Sequence, residues 1–276
     1  MSERYLPGGR PPGSPEEGVW AYGITASDRV AEPGRAPDLS WLTGVGGGAV
    51  RTVTCSGLTV LVSDVSLAEF GEAALREHLE DLEWLDEVAR VHHYVVEAAA
   101  RLFPLLPVRL ATVYSGAAAL CAALADHHDE LLGALRRVGG RVEWGVKAYA
   151  AAEQAEAAVS PAAGEPGPGL AYLQRRRDQL AAGREARAAA VSGARAVHAG
   201  LTGKAAAAVV RPPQSAQLSK VRLPMLLNAA YLLDASDGTS FTAAVAAEAT
   251  AHPELRIELT GPWPPYSFAG GDDDGR

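Results

Sequence analysis

The sequence predicts an α+β protein with two domains. In the first half, segments with strand-like apolar patterns are followed by segments with helical periodicity. In the second half, strand and helix patterns follow one another in the order β-α-β-β-α-β. The 276 residues are 48% apolar, which allows a sizeable core, and the length favours two domains over one. We expect a flexible leader at residues 1–17, an α+β domain at residues 18–139, a second domain at residues 140–260 and a tail at residues 261–276.

The first half combines a strand hairpin with longer helical segments. The turn at Ser56-Gly57 separates two strand-like runs, and a two-residue turn with glycine suits the twist of a hairpin. Apolar residues recur at spacings of three and four up to Phe103, and Pro104 then ends the helical pattern. The expected strands cover residues 19–24, 49–54, 58–63 and 108–114, and the expected helices cover residues 68–103 and 117–137.

The second half opens with a strand that alternates between two faces. Glu143 and Lys147 share one face, which we expect to be solvated, with the two side chains as an exposed ion pair. The other face is apolar and consists of Val142, Trp144, Val146 and Ala148.

The remaining elements of the second half complete a known supersecondary pattern. We expect helices at residues 170–201 and 240–251, and strands at residues 205–211, 225–234 and 254–259. The resulting order is the split βαβ pattern of a ferredoxin-like fold.

The composition excludes several classes of protein. A formal net charge of −8 argues against nucleic acid as a partner, because phosphate binding needs a basic surface. No run approaches the roughly 18 apolar residues that span a bilayer, and the start of the chain is unlike a signal peptide. Cys55 and Cys121 have no metal-ligand spacing and suit a reducing compartment. We therefore expect a cytoplasmic protein that binds neither nucleic acid nor a lipid membrane.

Histidines are the first candidates for catalysis or metal binding. His92 falls on the apolar stripe of the helix at residues 68–103, which favours a hydrogen-bonded core histidine over a ligand. His127 and His128 are expected to cap or flank an exposed helix surface. Side chains of adjacent helical residues point about 100° apart, so neither histidine pair can hold one metal ion. The sequence predicts no catalytic, cofactor-binding or metal site.

Positive charge is concentrated in the helix at residues 170–201. Its arginines are spread around the helix, which favours a solvated face, and contact with an acidic partner is the alternative. These residues are Arg175, Arg176, Arg177, Arg184, Arg187 and Arg195.

The most distinctive segment is the aromatic, proline-rich ending of the chain. Its residues are Gly261, Pro262, Trp263, Pro264, Pro265, Tyr266, Ser267 and Phe268. Prolines favour a polyproline II path of three residues per turn, which places Trp263 and Tyr266 on one face. Docking of this strip onto its own domain is the favoured interpretation, and binding to another protein or a disordered tail are the alternatives.

This ending resembles the C-terminal signature of the gas vesicle protein GvpL/GvpF family. The resemblance extends over about residues 19–268. One departure is Leu110-Ala111, at a place where the family carries Phe-Gly. Other residues match the family in order along the chain: His92, Pro107, Arg109, Glu143, Trp144, Lys147, Asn228 and Tyr231.

The resemblance implies a non-enzymatic protein of gas vesicle formation, without a cofactor. It implies two α+β domains, the second ferredoxin-like, and an accessory or minor structural role at the gas vesicle. The implied partners are the hydrophobic shell protein, bound through an exposed strand edge or an apolar groove, and other gas vesicle proteins. One alternative is a small-molecule-binding or catalytic ferredoxin-like protein that uses His92, Glu143 and Lys147. A purely structural shell component is a third possibility.

Overall fold

The computed structural model describes residues 17–30, 39, 41–151, 169–213 and 223–270. It is a mixed helix and sheet structure with two antiparallel sheets. The chain divides into two compact units, the first with residues 1–139 and 269–276 and the second with residues 140–268. No helix among the described residues is long and apolar enough to cross a bilayer.

The first unit is built around a deeply buried central strand. Its strands are β1 (Glu17–Ala26), β2 (Arg51–Cys55), β3 (Leu58–Ser66), β4 (Leu106–Pro107) and β5 (Val113–Tyr114). The sheet order is β2-β3-β1-β4, and β5 also pairs with β1. Residues 18–25 of β1 are all buried, so this strand is covered on both faces. The hairpin predicted at Ser56-Gly57 is confirmed, because β2 and β3 pair on either side of these residues, which both have positive φ.

The helices of the first unit are shorter than the sequence pattern predicts. The helical pattern at residues 68–103 becomes three helices, because Gly71 ends the first one and Asp81 caps the last one through the amides of Glu83 and Trp84. The pattern at residues 117–137 breaks at His127. The observed helices are α1 (Ser27–Val30), α2 (Leu67–Phe70), α3 (Glu72–His78), α4 (Leu82–Ala100), α5 (Ala117–Asp126) and α6 (His128–Val138).

The single strand predicted at residues 108–114 is wrong. The chain forms β4 before this segment and β5 at its end, and both pair with β1. A turn lies between them, in which the Thr112 hydroxyl donates to the Arg109 carbonyl over 2.8 Å. The turn carries the backbone from one pairing site on β1 to the next.

The strands and α-helices of the second unit, in the part of it that the structure describes, follow the order that the sequence predicts. They are β6 (Arg141–Ala150), α7 (Gly169–Thr202), β7 (Ala207–Val210), β8 (Met225–Asp234), α8 (Gly238–Ala251) and β9 (Leu255–Trp263). The four strands form an antiparallel sheet in the order β7-β8-β6-β9. One face of the sheet packs against both helices, and its core includes Val146, Tyr231, Val197 and Phe241.

The two cysteines, whose spacing was expected to suit a reducing compartment, are paired with each other in the folded chain. Cys55, at the end of β2, forms a disulfide with Cys121 of α5, and their Cα atoms lie 5.7 Å apart. The two residues are 66 positions apart in sequence. Sequence spacing therefore did not reveal the pairing, because only the packing of α5 near the end of β2 brings the sulfur atoms together.

We expect Cys55→Ser to lower the free energy of unfolding by about 2–4 kcal/mol under oxidising conditions. The disulfide closes a long loop and so reduces the conformational entropy of the unfolded chain. Urea unfolding with and without dithiothreitol measures this difference, which should vanish for the reduced proteins. Cys121→Ser is the matched variant and should behave in the same way. Two reactive thiols in the folded, unreduced chain would contradict the prediction.

Candidate functional site

His92 connects α4 to the sheet of the first unit. The side chain is 3% exposed and lies beside the rings of Trp20 and Tyr22. The Trp20 Nε1–H donates to His92 Nδ1 over 3.0 Å. His92 Nε2 lies 3.1 Å from the Val108 carbonyl oxygen and donates to it, since Nδ1 already accepts. The prediction of a hydrogen-bonded core histidine is confirmed, and both ring nitrogens are used.

This environment keeps the imidazole neutral. Burial lowers the pKa of His92 from 6.5 to about 4; the hydrogen bond to the Val108 carbonyl opposes the shift, and the nearby His93 adds to it. Val108 lies between Pro107 and Arg109, two other residues that match the family pattern, and its amide donates to the Tyr22 carbonyl over 2.9 Å. His92 therefore fixes the segment after α4 against β1.

The other histidine pair lies at an exposed helix start. His127 precedes α6 and lies 3.4 Å from the Glu130 carboxylate, and His128 lies 3.2 Å from that of Asp129. The prediction that they flank an exposed helix surface is confirmed. Within the described ranges, no three His, Cys, Asp or Glu side chains are grouped in a way that could hold a metal ion.

Glu143 is not on a solvated face, so the prediction of an exposed ion pair with Lys147 is wrong. Only 7% of Glu143 is exposed. Its carboxylate accepts a hydrogen bond from the Ser267 amide over 2.8 Å and another from the Ser267 hydroxyl. Arg211 forms an ion pair with it at 3.5 Å and also donates to the Ser267 hydroxyl. We call this group of three side chains the Glu143 clasp.

The clasp holds the C-terminal ribbon, residues 261–268, on its own unit. Pro264, Pro265 and Phe268 are buried. The polyproline II path predicted for this segment is wrong, because β9 continues to Trp263 and Tyr266–Phe268 form a 3-10 helix. Trp263 is 41% exposed and therefore does not seal the core.

A bulge in β9 allows the strand to continue into the ribbon. Gly261 and Pro262 lie opposite Trp144 alone, because Thr260 pairs with Gly145 and Trp263 pairs with Glu143. Gly261 has a φ of 121°, and a Cβ there would lie 2.8 Å from the Glu143 carbonyl oxygen. Only glycine fits this close approach without a shift of the backbone. The Gly261–Pro262 peptide bond is cis.

The remaining family-matching residues of the second unit divide between the two faces of its sheet. Trp144 packs against Gly238 and Phe241 of α8, and the Tyr231 hydroxyl forms a 2.9 Å hydrogen bond with Nδ1 of His198. Burial raises the pKa of Tyr231. On the opposite face the Asn228 amide donates to the Pro212 carbonyl over 3.0 Å. Tyr231 is therefore a core residue, and the half-buried Trp144 packs against the core.

The face of the sheet opposite the helices carries a mixed polar cavity of about 460 Å³. Lys147 and Asn228 are paired in register on β6 and β8. The structure thus brings together four residues that the sequence singled out separately, and adds Arg211, which the sequence analysis missed. We call this surface the open face; it is lined by Glu143, Gly145, Lys147, Arg211, Asn228 and Trp263.

A larger and more apolar groove, of about 810 Å³, lies in the first unit. Its walls come from α2, α3 and the chain leading into β5. We call it the apolar groove. Sequence reasoning missed it because its lining residues are scattered between positions 67 and 115. The groove lining includes Leu67, Phe70, Ala73, Leu75, Ala111 and Val113.

Ala111 lies at the place where this chain departs from the family pattern. Its φ is 63°, in the left-handed region that glycine adopts freely and other residues rarely adopt. The turn before the groove therefore keeps a conformation suited to glycine, although this chain has alanine there. Holding alanine in this left-handed conformation costs on the order of 1 kcal/mol relative to glycine.

Comparisons with known proteins agree over nearly the whole chain. The family model described as gas vesicle synthesis protein GvpL/GvpF matches residues 18–270. Gas vesicle protein L of Streptomyces sp. (strain CB03234) is 41% identical over 232 residues, which is 82% of this chain and 85% of that relative.

Two crystal structures have a similar fold. GvpF from Anabaena sp. PCC7120 aligns with a TM-score of 0.61 and 22% identity, over 92% of this chain and 96% of that one. GvpF from Microcystis aeruginosa aligns with a TM-score of 0.60 and 19% identity, over 92% and 99% of the two chains. At these identities the similarity supports the fold alone.

We expect acid to destabilise the protein through His92. Between pH 6.5 and about 4 the unfolded chain binds a proton at this site that the folded chain excludes. The contribution of His92 to the free energy of unfolding is therefore fully present above pH 6.5, and it falls by up to about 3 kcal/mol as the pH drops through this window. Urea unfolding at several pH values should show a flatter profile for His92→Gln than for the wild type. His127→Gln is the control, because His127 lies exposed at the start of α6 and away from His92, and an equally flat profile for it would argue against this assignment.

We expect Glu143→Ala to lower the free energy of unfolding by about 2–3 kcal/mol, because it removes two hydrogen bonds to a buried carboxylate. Amide exchange followed by mass spectrometry should also show faster exchange in the peptide that contains Ser267. Glu258→Ala is the matched control, since it removes a surface contact with Arg256 on the same sheet and should cost less than about 1 kcal/mol. Unchanged exchange at Ser267 in Glu143→Ala would refute the role of the clasp.

Proposed function

Because the chain belongs to the GvpL/GvpF family of gas vesicle synthesis proteins, we propose that it is an accessory or minor structural protein of gas vesicle assembly. In this role it binds the hydrophobic shell protein and other gas vesicle proteins, without catalysis and without a cofactor, at the gas vesicle in the cytoplasm. The family assignment is the observation that carries the proposal.

The proposal includes a domain assignment. Residues 140–260 form a ferredoxin-like domain and residues 18–139 form an α+β domain, with a leader at residues 1–17 and a tail at residues 261–276. The strand order β7-β8-β6-β9 supports the ferredoxin-like assignment, since a split βαβ unit places its third strand between the first and second. In this assignment the ribbon is a structural motif of the second domain.

The apolar groove is the surface that we assign to the shell protein. A strongly apolar partner needs an apolar surface, because burying its side chains against polar groups would leave those groups without water. The groove lining is mainly leucine, alanine, valine and phenylalanine side chains, and its volume of about 810 Å³ accommodates several side chains of a bound segment. The open face is smaller and carries Glu143, Lys147 and Arg211.

The contacts of the candidate catalytic residues favour binding over catalysis. Both ring nitrogens of His92 are hydrogen-bonded inside the first unit. Glu143 is held by Ser267 and Arg211 in the second unit. A general base needs a lone pair directed at a substrate, and these two side chains direct theirs at structural partners. The alternative of a small-molecule enzyme that uses His92, Glu143 and Lys147 therefore has no support from their contacts.

We expect purified chain to capture the shell protein in a pull-down, and Ala73→Arg to reduce capture at least about tenfold. The new side chain occupies the groove without removing core atoms, since Ala73 is an exposed lining residue on α3. A tenfold loss of affinity corresponds to about 1.4 kcal/mol of binding free energy. Capture should be measured with immobilised wild type and variant at equal loading.

Two variants control this experiment. Ala118→Arg places the same side chain on the exposed surface of α5 and should bind like the wild type. Trp263→Ala alters the open face and should also retain binding. Loss of capture by Trp263→Ala alone would place the shell protein on the open face, and no capture by the wild type at any salt concentration would overturn the proposed function.

A further inference from the structure

The N-terminal half of α7 extends beyond the core of the second unit. The C-terminal half of this helix contributes Ala190, Ala194, Val197 and Leu201 to the core. Residues 173–189 contribute none, and all of them are exposed except the half-buried Gly183 and Ala186. We call residues 173–189 the basic arm; at 1.5 Å per residue it is about 24 Å long.

The basic arm combines positive charge with exposed leucines. It holds five arginines and two carboxylates. Leu173 is 64% exposed and lies four residues before Arg177 and seven before Leu180. Arg184 follows Leu180 by four residues. These intervals place the four side chains on one stripe. Arg177 also contacts its neighbour Asp178 at 3.6 Å, a surface pair of little strength.

In the first unit, the segment from the end of α2 to the start of α4 carries charge of opposite sign. Residues 69–87 hold eight exposed carboxylates and one arginine. Leu79 and Leu82 lie exposed among them, and Leu82 is 77% exposed. We call this surface the acidic face. Its carboxylates belong to Glu69, Glu72, Glu77, Glu80, Asp81, Glu83, Asp86 and Glu87.

Neither surface is explained by the stability of its own unit. On the acidic face, Arg76 pairs with Glu72 and Arg90 pairs with Asp86, which leaves a large excess of negative charge that repels itself. A helical segment of this length that contributes nothing to the described core is only marginally stable in water, and Gly183 weakens it further. A partner that covers the acidic face offsets the repulsion among its carboxylates, and a partner that covers the basic arm stabilises its helix.

We propose that the basic arm of one copy of this chain docks on the acidic face of a second copy. The charges are complementary, and each surface carries two exposed leucines that the contact removes from water. The partner that covers each surface is a second copy of this chain, because the chain itself carries both complementary surfaces. A net charge of −8 opposes docking of the arm on nucleic acid or an anionic membrane, since the rest of the molecule is repelled by phosphate.

The contact makes self-association depend on salt. Sedimentation equilibrium of the full chain at 50 mM salt should show concentration-dependent association. At 500 mM salt the dissociation constant should rise at least about tenfold, because screening shortens the range of exposed charge interactions. The measurement uses purified chain alone, so its outcome is independent of binding to the shell protein.

Charge reversal tests which surfaces meet. Arg177→Glu with Arg184→Glu reverses the arm stripe, and Glu83→Lys with Glu87→Lys reverses part of the acidic face. Each double variant alone should associate at least about tenfold more weakly than the wild type. An equimolar mixture of the two double variants should associate to within about threefold of the wild type, because each reversed surface then meets its complement.

The control has the same formal charge change as the arm double variant, at another place. Lys204→Glu with Arg256→Glu alters two exposed side chains outside both surfaces and should associate like the wild type. Circular dichroism checks that every variant retains its helix content. A wild type that stays monomeric at 50 mM salt, unchanged association of either double variant, or a mixture that fails to recover association would overturn the proposal.

Discussion

The carboxylate of Glu143 needs partners where it lies, because a buried charge without compensation costs several kcal/mol. The strand pattern places it on the open face of the second sheet, and the ribbon covers it there. The Ser267 amide and hydroxyl, together with Arg211, provide the hydrogen bonds and the opposite charge that it lacks in its own strand. The ribbon reaches this carboxylate because β9 continues past a bulge at Gly261 to Trp263, after which the chain turns into a 3-10 helix. This path leaves Trp263 at the rim of the open face, with much of its ring in contact with solvent.

In the first unit a comparable buried polar side chain is the neutral imidazole of His92. His92 is as buried as the valines around it, and it stays uncharged because Trp20 donates to one nitrogen and the Val108 carbonyl accepts from the other. The hydrogen bond to Val108 positions the start of the turn that contains Ala111, and this turn forms one wall of the apolar groove. Residues that match the family pattern therefore act here through the backbone that they hold in place.

The surfaces available for partners differ in chemistry. The apolar groove suits an apolar segment, the open face is polar, and the basic arm and the acidic face carry opposite charges. Glu72 lines the apolar groove and also belongs to the acidic face, so these two surfaces adjoin. Under the proposed function, the contact with the shell subunit and the contact between copies of the chain use different forces. The first depends on the hydrophobic effect and the second on charge, so salt affects them in opposite directions.

Sequence patterns alone predicted the order of elements in the second unit, the hairpin at Ser56-Gly57, the core position of His92 and the family resemblance carried by the ending. These features follow from local periodicity, turn chemistry and residue identity, which are all readable along the chain. The environment of Glu143, the disulfide between Cys55 and Cys121 and the apolar groove became visible only in the folded structure. Each of these depends on residues far apart in sequence that packing brings together. Alternation along β6 places Glu143 on one face, but only Ser267, 124 positions later, determines that this face is covered.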